Sequence, residues 1–134
     1  MSYELYFLNQ LFFMKKESLI QIRTFNYSLA IIELYKTLSS NREYVLSKQI
    51  LKSGTSIGAN VEEATAGISK RDFVAKMSIA SKEARETRYW LRLLEKSQVV
   101  IYEYQILIKE AEEIINILTA IVKTSQDKFN THNS

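Results

Sequence analysis

The absence of proline most limits what this chain can fold into. None of its 134 residues is proline and only three are glycine, so almost nothing interrupts the hydrogen-bond ladder of a long helix. The glycine and proline residues that usually form the tight turns between strands are scarce for the same reason. Hydrophobic residues make up 46% of the chain, which at this length is enough to bury one core. The composition therefore predicts a single all-α domain.

Apolar residues recur at spacings of three and four in four segments, as in amphipathic helices. Short links between these segments predict an up-and-down antiparallel four-helix bundle over residues 19–125. The first helix (about 19–38) and the last (about 103–123) each carry two apolar stripes. In the first helix the stripes are Ile22, Phe25, Leu29, Ile32 and Tyr27, Ile31, Leu34, Leu38; in the last they are Leu107, Ala111, Ile114, Leu118, Ile121 and Ile108, Ile115, Val122. The single stripes are Leu46, Ile50, Ser53, Ile57, Val61 in the second helix and Phe73, Met77, Ala80, Ala84, Leu91, Leu94 in the third.

The helix ends have recognisable signals. Ser40 with Glu43, and Ser69 with Asp72, are Ser-x-x-acid patterns typical of capping boxes at the starts of the second and third helices. Gly67 is expected to end the second helix in the left-handed conformation that glycine adopts at little cost. Residues 1–18 are predicted to be an apolar extension, either a start-site artefact or a turn that docks on a neighbour. Residues 126–134 are predicted to be a frayed polar tail.

Small residues fill positions 53–59 of the second helix. They lower helix propensity but let another backbone come close. A break in the helix at Gly54 is the alternative.

The double stripes bear on assembly. A lone bundle needs one apolar face per helix, so second stripes on the first and last helices, with Trp90 outside the stripe of the third, predict surface buried between identical copies. The alternative is that the wide stripes merely fill a thick core.

Positive charge is concentrated in the third helix. The net charge of the chain is only +3, yet residues 70–96 carry eight Lys or Arg against four Asp or Glu. Arg85, Arg88, Arg92 and Lys96 follow at spacings of three, four and four, so they share one face and repel one another. Either acids of the second or fourth helix neutralise them, or the phosphates of RNA or DNA do. Lys70 and Arg71 at the helix start would extend such a phosphate-binding surface.

A second polar set lies on the second and third helices. Asn60 and Glu63 are one turn apart and could reach a neighbouring helix. We expect them, with Glu86 of the third helix, to form a buried polar network that sets helix register, the alternative being a ligand site.

The residue inventory argues against catalysis. The chain has no cysteine, and its only histidine, His132, lies in the polar tail, so triads, thiolate chemistry and the Glu-x-x-His pairs of di-iron bundles are missing. No glycine-rich phosphate loop is present either. We therefore expect no enzyme activity, cofactor or metal, and a cytoplasmic protein without a membrane span.

Several separated motifs resemble one known family. They are Glu33-Leu-Tyr-Lys36, the segment 51–64 with Ser56, Ile57, Asn60 and Glu63, the Ser69-x-x-Asp-Phe73 pattern, and Ile79-Ala80 through Glu86. Together they resemble the four-helix-bundle proteins encoded by intervening sequences inside bacterial 23S ribosomal RNA genes. The resemblance covers most of residues 20–122 and leaves the N-terminal extension outside. It implies an antiparallel four-helix subunit, assembly into a homopentameric ring, and an unsettled role in nucleic-acid binding. A structural adaptor that binds another protein is the alternative function.

Overall fold

Four helices make up the computed structural model, which describes residues 2–133 and, of their side chains, those of residues 2–5, 8 and 19–127. They are α1 (Tyr3–Ser40), α2 (Leu46–Thr65), α3 (Lys70–Ser97) and α4 (Tyr104–Asn133). Each helix packs against the next and α1 packs against α4, whereas the diagonal pairs stay apart within this described part. This is the up-and-down arrangement expected from the short links.

The first and last helices, α1 and α4, are longer than predicted. α1 begins at Tyr3 rather than near residue 19, with the Ser2 hydroxyl accepting a hydrogen bond from the Leu5 amide at 3.2 Å. α4 continues to Asn133 rather than ending near residue 123. Whether residues 1–18 are a start-site artefact stays a prediction.

The start of α2 differs from the predicted capping box. Ser40 is the last residue of α1, and its hydroxyl donates to the Lys36 carbonyl. Glu43 alone caps α2, because its carboxylate accepts from the amides of Leu46 at 2.9 Å and Ser47 at 2.6 Å. The prediction that Glu43 caps amides at the start of α2 is confirmed, whereas the prediction that the Ser40 hydroxyl does so is wrong.

The predicted left-handed glycine is also wrong. No described glycine has a positive φ, and the residue that caps the end of α2 is Ala66, with φ −91°. A Cβ at position 67 would lie 2.9 Å from the Ala64 carbonyl oxygen, so Gly67 is needed for space. The left-handed residues are instead Arg42 (φ 63°) and Gln98 (φ 55°), which follow α1 and α3. For α3 the serine half of the predicted capping box is confirmed, because the Ser69 hydroxyl accepts from the Asp72 amide at 3.1 Å.

The core selects one of the two stripes of α1. Ile31, Leu34 and Leu38 are fully buried, while Phe25 remains 64% exposed and Leu29 50%. On α4, by contrast, both stripes are buried within the subunit, and the residues from the second stripe that lie in the core are Ile108 and Ile115. Of the two double-striped helices, α1 is therefore the one whose second stripe stays exposed. Our expectation of a second free stripe on α4 was wrong, because that helix is wedged between α1 and α3.

The small residues of α2 allow a close approach to α1. The helix runs unbroken through Gly54, so the alternative of a break there was wrong. A Cβ at position 54 would lie 2.8 Å from both Cγ atoms of Ile31, and one at Gly58 would lie 3.2 Å from the Thr24 carbonyl oxygen. Neither position leaves room for a larger residue without repacking.

Polar contacts join α1 to α4. The Arg23 guanidinium donates to both carboxylate oxygens of Glu110, at 2.9 and 2.6 Å. The buried Tyr27 hydroxyl donates to the Leu107 carbonyl oxygen at 2.9 Å, and burial raises the pKa of that phenol. These bonds fix how far the outer helices can separate.

Candidate nucleic-acid interface

The predicted basic stripe lies along α3. Arg85, Arg92 and Lys96 are exposed and Arg88 is half-buried. At a rise of 1.5 Å per residue, the four cations extend over about 16 Å of helix. The stripe borders the packed face of α3 on the side of α4, because Arg88 is half-buried and Arg85 lies one turn after the buried Ser81.

Arg85 has the best-defined geometry in the stripe. Its Nη1 donates to the Ser81 hydroxyl at 3.1 Å, and its Nη2 donates to the Thr119 hydroxyl of α4 at 3.3 Å. These neutral acceptors orient the guanidinium over the α3–α4 seam without neutralising it.

No carboxylate pairs with the stripe among the side chains of residues 19–127. The ion pairs found in this region join Arg23 to Glu110, Lys36 to Glu33 and Lys76 to Glu63. The acids nearest in sequence are used elsewhere: Glu86 accepts from the Trp90 indole at 3.3 Å and Glu95 from the Gln105 amide at 2.6 Å. Of the two neutralising partners considered from the sequence, the acids of the subunit itself are therefore ruled out within these residues.

The basic residues at the start of α3 lie far from the stripe. Lys70 and Arg71 are both exposed, but about 20 Å of helix separates them from Arg85. Lys70 makes no ion pair with a described side chain, whereas Arg71 is already engaged within the protein. The six predicted cations thus form two separate groups on α3 rather than one compact patch. One group is at the start of the helix and the other is the stripe.

The predicted polar network is wrong. The Asn60 amide donates to the Ser56 carbonyl of its own helix at 2.8 Å, and Glu63 forms an exposed ion pair with Lys76 at 2.8 Å. That hydrogen bond raises the pKa of Lys76. Glu86 takes part in neither contact. One turn of spacing placed Asn60 and Glu63 near each other, but both point to the edge of the bundle rather than into it.

The buried polar link between α2 and α3 uses two hydroxyls instead. Thr87 donates to Ser53 at 3.0 Å, and both residues are buried. Sequence reasoning assigned Ser53 to the core stripe but missed its partner. The signal was available, because Thr87 falls at helical spacing between Ala84 and Leu91.

An exposed aromatic ring interrupts the basic stripe. Tyr89 is 56% exposed and lies four residues after Arg85 and three before Arg92, so all three share one face. An aromatic ring between cations can stack on an unpaired base while its neighbours contact the phosphates. Tyr89 was not predicted, because the charge pattern along this face does not include it.

Two kinds of site are missing from the described residues. No three His, Cys, Asp or Glu side chains there come together as metal ligands would. Across the same part of the chain, no helix is both long and apolar enough to span a membrane.

Comparisons with known proteins agree with the motifs. A family model described as 23S rRNA-intervening sequence protein matches residues 6–120, and so includes most of the segment that we had left outside the resemblance. A crystal structure of a protein of unknown function from the S23 ribosomal protein family of Bacteroides thetaiotaomicron is 42% identical, with a TM-score of 0.77. That similarity covers 81% of this chain and 98% of the other. No curated protein matches the chain. The chain belongs to the 23S rRNA-intervening sequence protein family.

Proposed function

We propose that this protein is a non-enzymatic homo-oligomer that binds the backbone of nucleic acid, RNA in the first place, through the basic stripe of α3. The observation that carries this proposal is the lack of any carboxylate partner for Arg85, Arg88, Arg92 and Lys96 among the described side chains. Like charges at these spacings repel by a few tenths of a kcal/mol per pair. Phosphates would remove that cost and release counterions.

Recognition of this kind is independent of base sequence. Phosphate contacts position a protein on a strand, whereas base edges in the grooves specify sequence. The stripe offers Arg and Lys side chains on one helix, with Tyr89 as the one described aromatic ring on that face. One copy would bind weakly, so useful affinity requires several copies acting together.

Assembly is supported by the apolar outer face of α1. Leu19, Ile22, Phe25 and Leu29 follow at spacings of three and four and are each at least half exposed. Covering one such side chain contributes about 1 to 2 kcal/mol, given that roughly half its surface is still open. The family resemblance implies five copies, and we propose a pentameric ring that repeats the basic stripe five times. The cytoplasm is the expected compartment for a cysteine-free protein with this partner.

Charge reversal tests the nucleic-acid interface. Fluorescence anisotropy with a generic unstructured RNA should show binding by the wild-type protein. The Arg88→Glu/Arg92→Glu variant should bind at least about tenfold more weakly. Lys48→Glu/Lys52→Glu is the matched control, because it reverses two exposed cations on α2 outside the stripe, and it should change the affinity by less than about twofold. If Arg88→Glu/Arg92→Glu keeps its helicity and binds the RNA as tightly as the wild-type protein, the proposal is refuted.

Mass measurement tests the assembly. Light scattering after size-exclusion chromatography should give a multiple of 15.6 kDa, five-fold for the ring. Phe25→Asp/Leu29→Asp should give a folded monomer, whereas Ile101→Asp, at a residue 91% exposed in the α3–α4 link, should leave the assembly intact. A monomeric wild-type protein would contradict the avidity argument.

The adaptor function is favoured by the same α1 face, which another protein could cover instead of a second copy. The adaptor function predicts that this protein binds a protein partner. That binding should not depend on salt and should be unchanged in Arg88→Glu/Arg92→Glu. RNA binding that falls with salt would exclude it as the main role.

A further inference from the structure

A polar groove follows the seam between α3 and α4 beside Arg85. Its volume is about 220 Å³, and it opens to solvent along its length. All but one of the lining side chains are polar or positively charged, the exception being Val122: the others are Ser78, Ser81, Arg85, Thr119, Lys123 and Gln126. No carboxylate lines the groove.

Hydrogen-bond donors in this groove outnumber acceptors. The Ser81 and Thr119 hydroxyls accept from the Arg85 guanidinium, and neither donates to any described residue, so both O–H protons remain available. Arg85 uses two of its N–H groups on these hydroxyls and keeps the others. Lys123 brings an ammonium group without an ion pair among the described side chains.

The donors come from both helices and are held in place. Ser81 is 5% exposed and lies one turn before Arg85, while Thr119 is one turn before Lys123 on α4. The two hydroxyls therefore fix the guanidinium relative to the groove, which reduces the side-chain entropy lost when an anion binds. The non-bridging oxygens of a phosphate carry negative charge and accept hydrogen bonds, so they match a groove lined by two cations and free hydroxyl protons.

We propose that this α3–α4 groove is a phosphate-binding site, and that in the protein's function it takes one phosphodiester of the bound strand. This inference rests on the proposed nucleic-acid function for its source of phosphate. Arg88 and Arg92 continue from Arg85 along the same flank, so a strand anchored in the groove would run along the stripe. The groove sets where the strand starts, and the stripe adds affinity along it.

Two variants test the groove, and of these only Thr119→Val leaves the cations of the stripe unchanged. Thr119→Val keeps the shape of the side chain and removes the O–H donor, and Arg85→Gln removes the charge. With a generic RNA oligonucleotide, Thr119→Val should weaken binding roughly two- to tenfold without changing the salt dependence. Arg85→Gln should weaken binding and also reduce the slope of log K against log salt by about 0.7. Thr124→Val, at an exposed threonine outside the groove, is the matched control for the first variant.

The direct readout is nuclear magnetic resonance of the full chain, following the Arg85 Nε–H and the Thr119 amide. Inorganic phosphate and the RNA oligonucleotide are titrated separately. Movement of both signals with both ligands, lost in Thr119→Val, would support the site. Movement with inorganic phosphate but no RNA binding would keep the site as one for free phosphate and refute the nucleic-acid function.

The opposite pattern would overturn the groove alone. If RNA binds and Arg88→Glu/Arg92→Glu weakens it, while both groove signals stay still and Thr119→Val binds like the wild type, the stripe binds the strand without the groove. If neither ligand moves the signals and RNA does not bind, both proposals fall.

Discussion

Replacing Gly54 with alanine should destabilise the bundle although it improves helix propensity. Alanine is favoured over glycine in a helix by about 1 kcal/mol. The new Cβ, however, would lie 2.8 Å from two carbons of Ile31, which is fully buried. A β-branched side chain in a helix has one strongly preferred rotamer, so Ile31 cannot turn away. Overpacking of this kind costs about 1 to 3 kcal/mol, which leaves a net loss of up to about 2 kcal/mol after the gain in propensity.

Urea unfolding followed by circular dichroism measures this loss. Ala59→Gly, at an exposed position of the same helix, is the control and should cost about 1 kcal/mol through propensity alone. Ile31→Ala should cost about 2 to 5 kcal/mol by leaving a cavity. The Gly54→Ala/Ile31→Ala variant should be at least about 1 kcal/mol more stable than the sum of the two losses predicts, because the new methyl group enters that space. A stabilising Gly54→Ala, or additive losses, would refute the close approach of α1 and α2.

Three further predictions concern single residues. Gln98 has a left-handed backbone (φ 55°) after α3, so Gln98→Gly should stabilise by about 1 kcal/mol and raise Tm by a few degrees in a thermal melt; an unchanged or lower Tm would contradict this. Burial raises the pKa of Glu83, so the folded state holds the proton more tightly than the unfolded state, and this group's contribution to stability falls as pH rises through its titration. Glu83→Gln should therefore raise Tm at pH 7, with the difference vanishing below about pH 4, and an equal effect at both pH values would contradict the assignment. Tyr89→Ala should weaken single-stranded RNA binding by about fivefold or more and leave duplex binding nearly unchanged, because a duplex offers no unpaired base to stack on the ring; equal losses would argue against stacking.

Periodicity predicted the helices and most of the core. Ile57 and Leu91 fall on the single apolar stripes of α2 and α3, and each is fully buried. Periodicity could not decide which stripe of α1 faces inward, because both are similarly apolar. Gly54 and Gly58 of α2 let the face of α1 that carries Ile31 pack closely against α2. Phe25 and Leu29, on the other stripe of α1, therefore remain exposed.

Helix ends were predicted less well than helix faces. Glu43 can cap α2 without a serine partner, because its flexible side chain reaches several amides by itself. The left-handed cap of α3 falls on Gln98, where the stable helix and bundle outweigh the intrinsic cost of that conformation. No residue preference would have indicated that position.

The candidate site was predicted as a set of charges but not as a geometry. Helical spacing alone placed Arg85, Arg88 and Arg92 on one face, which the structure bears out. It could not show that the Thr119 hydroxyl of α4 accepts a hydrogen bond from Arg85 beside a groove. Contacts between helices depend on how the helices are shifted along one another, and one sequence does not encode that shift in any local pattern.

The salt dependence of RNA binding tests the central claim most directly. If the α3 cations of even one copy meet phosphates, log K for a single strand should fall against log salt with a slope of about −3, since each neutralised phosphate contributes about −0.7. The slope should become less steep by about 1.4 or more in Arg88→Glu/Arg92→Glu. A slope near zero, or the same slope in the two proteins, would mean that phosphates do not neutralise this face.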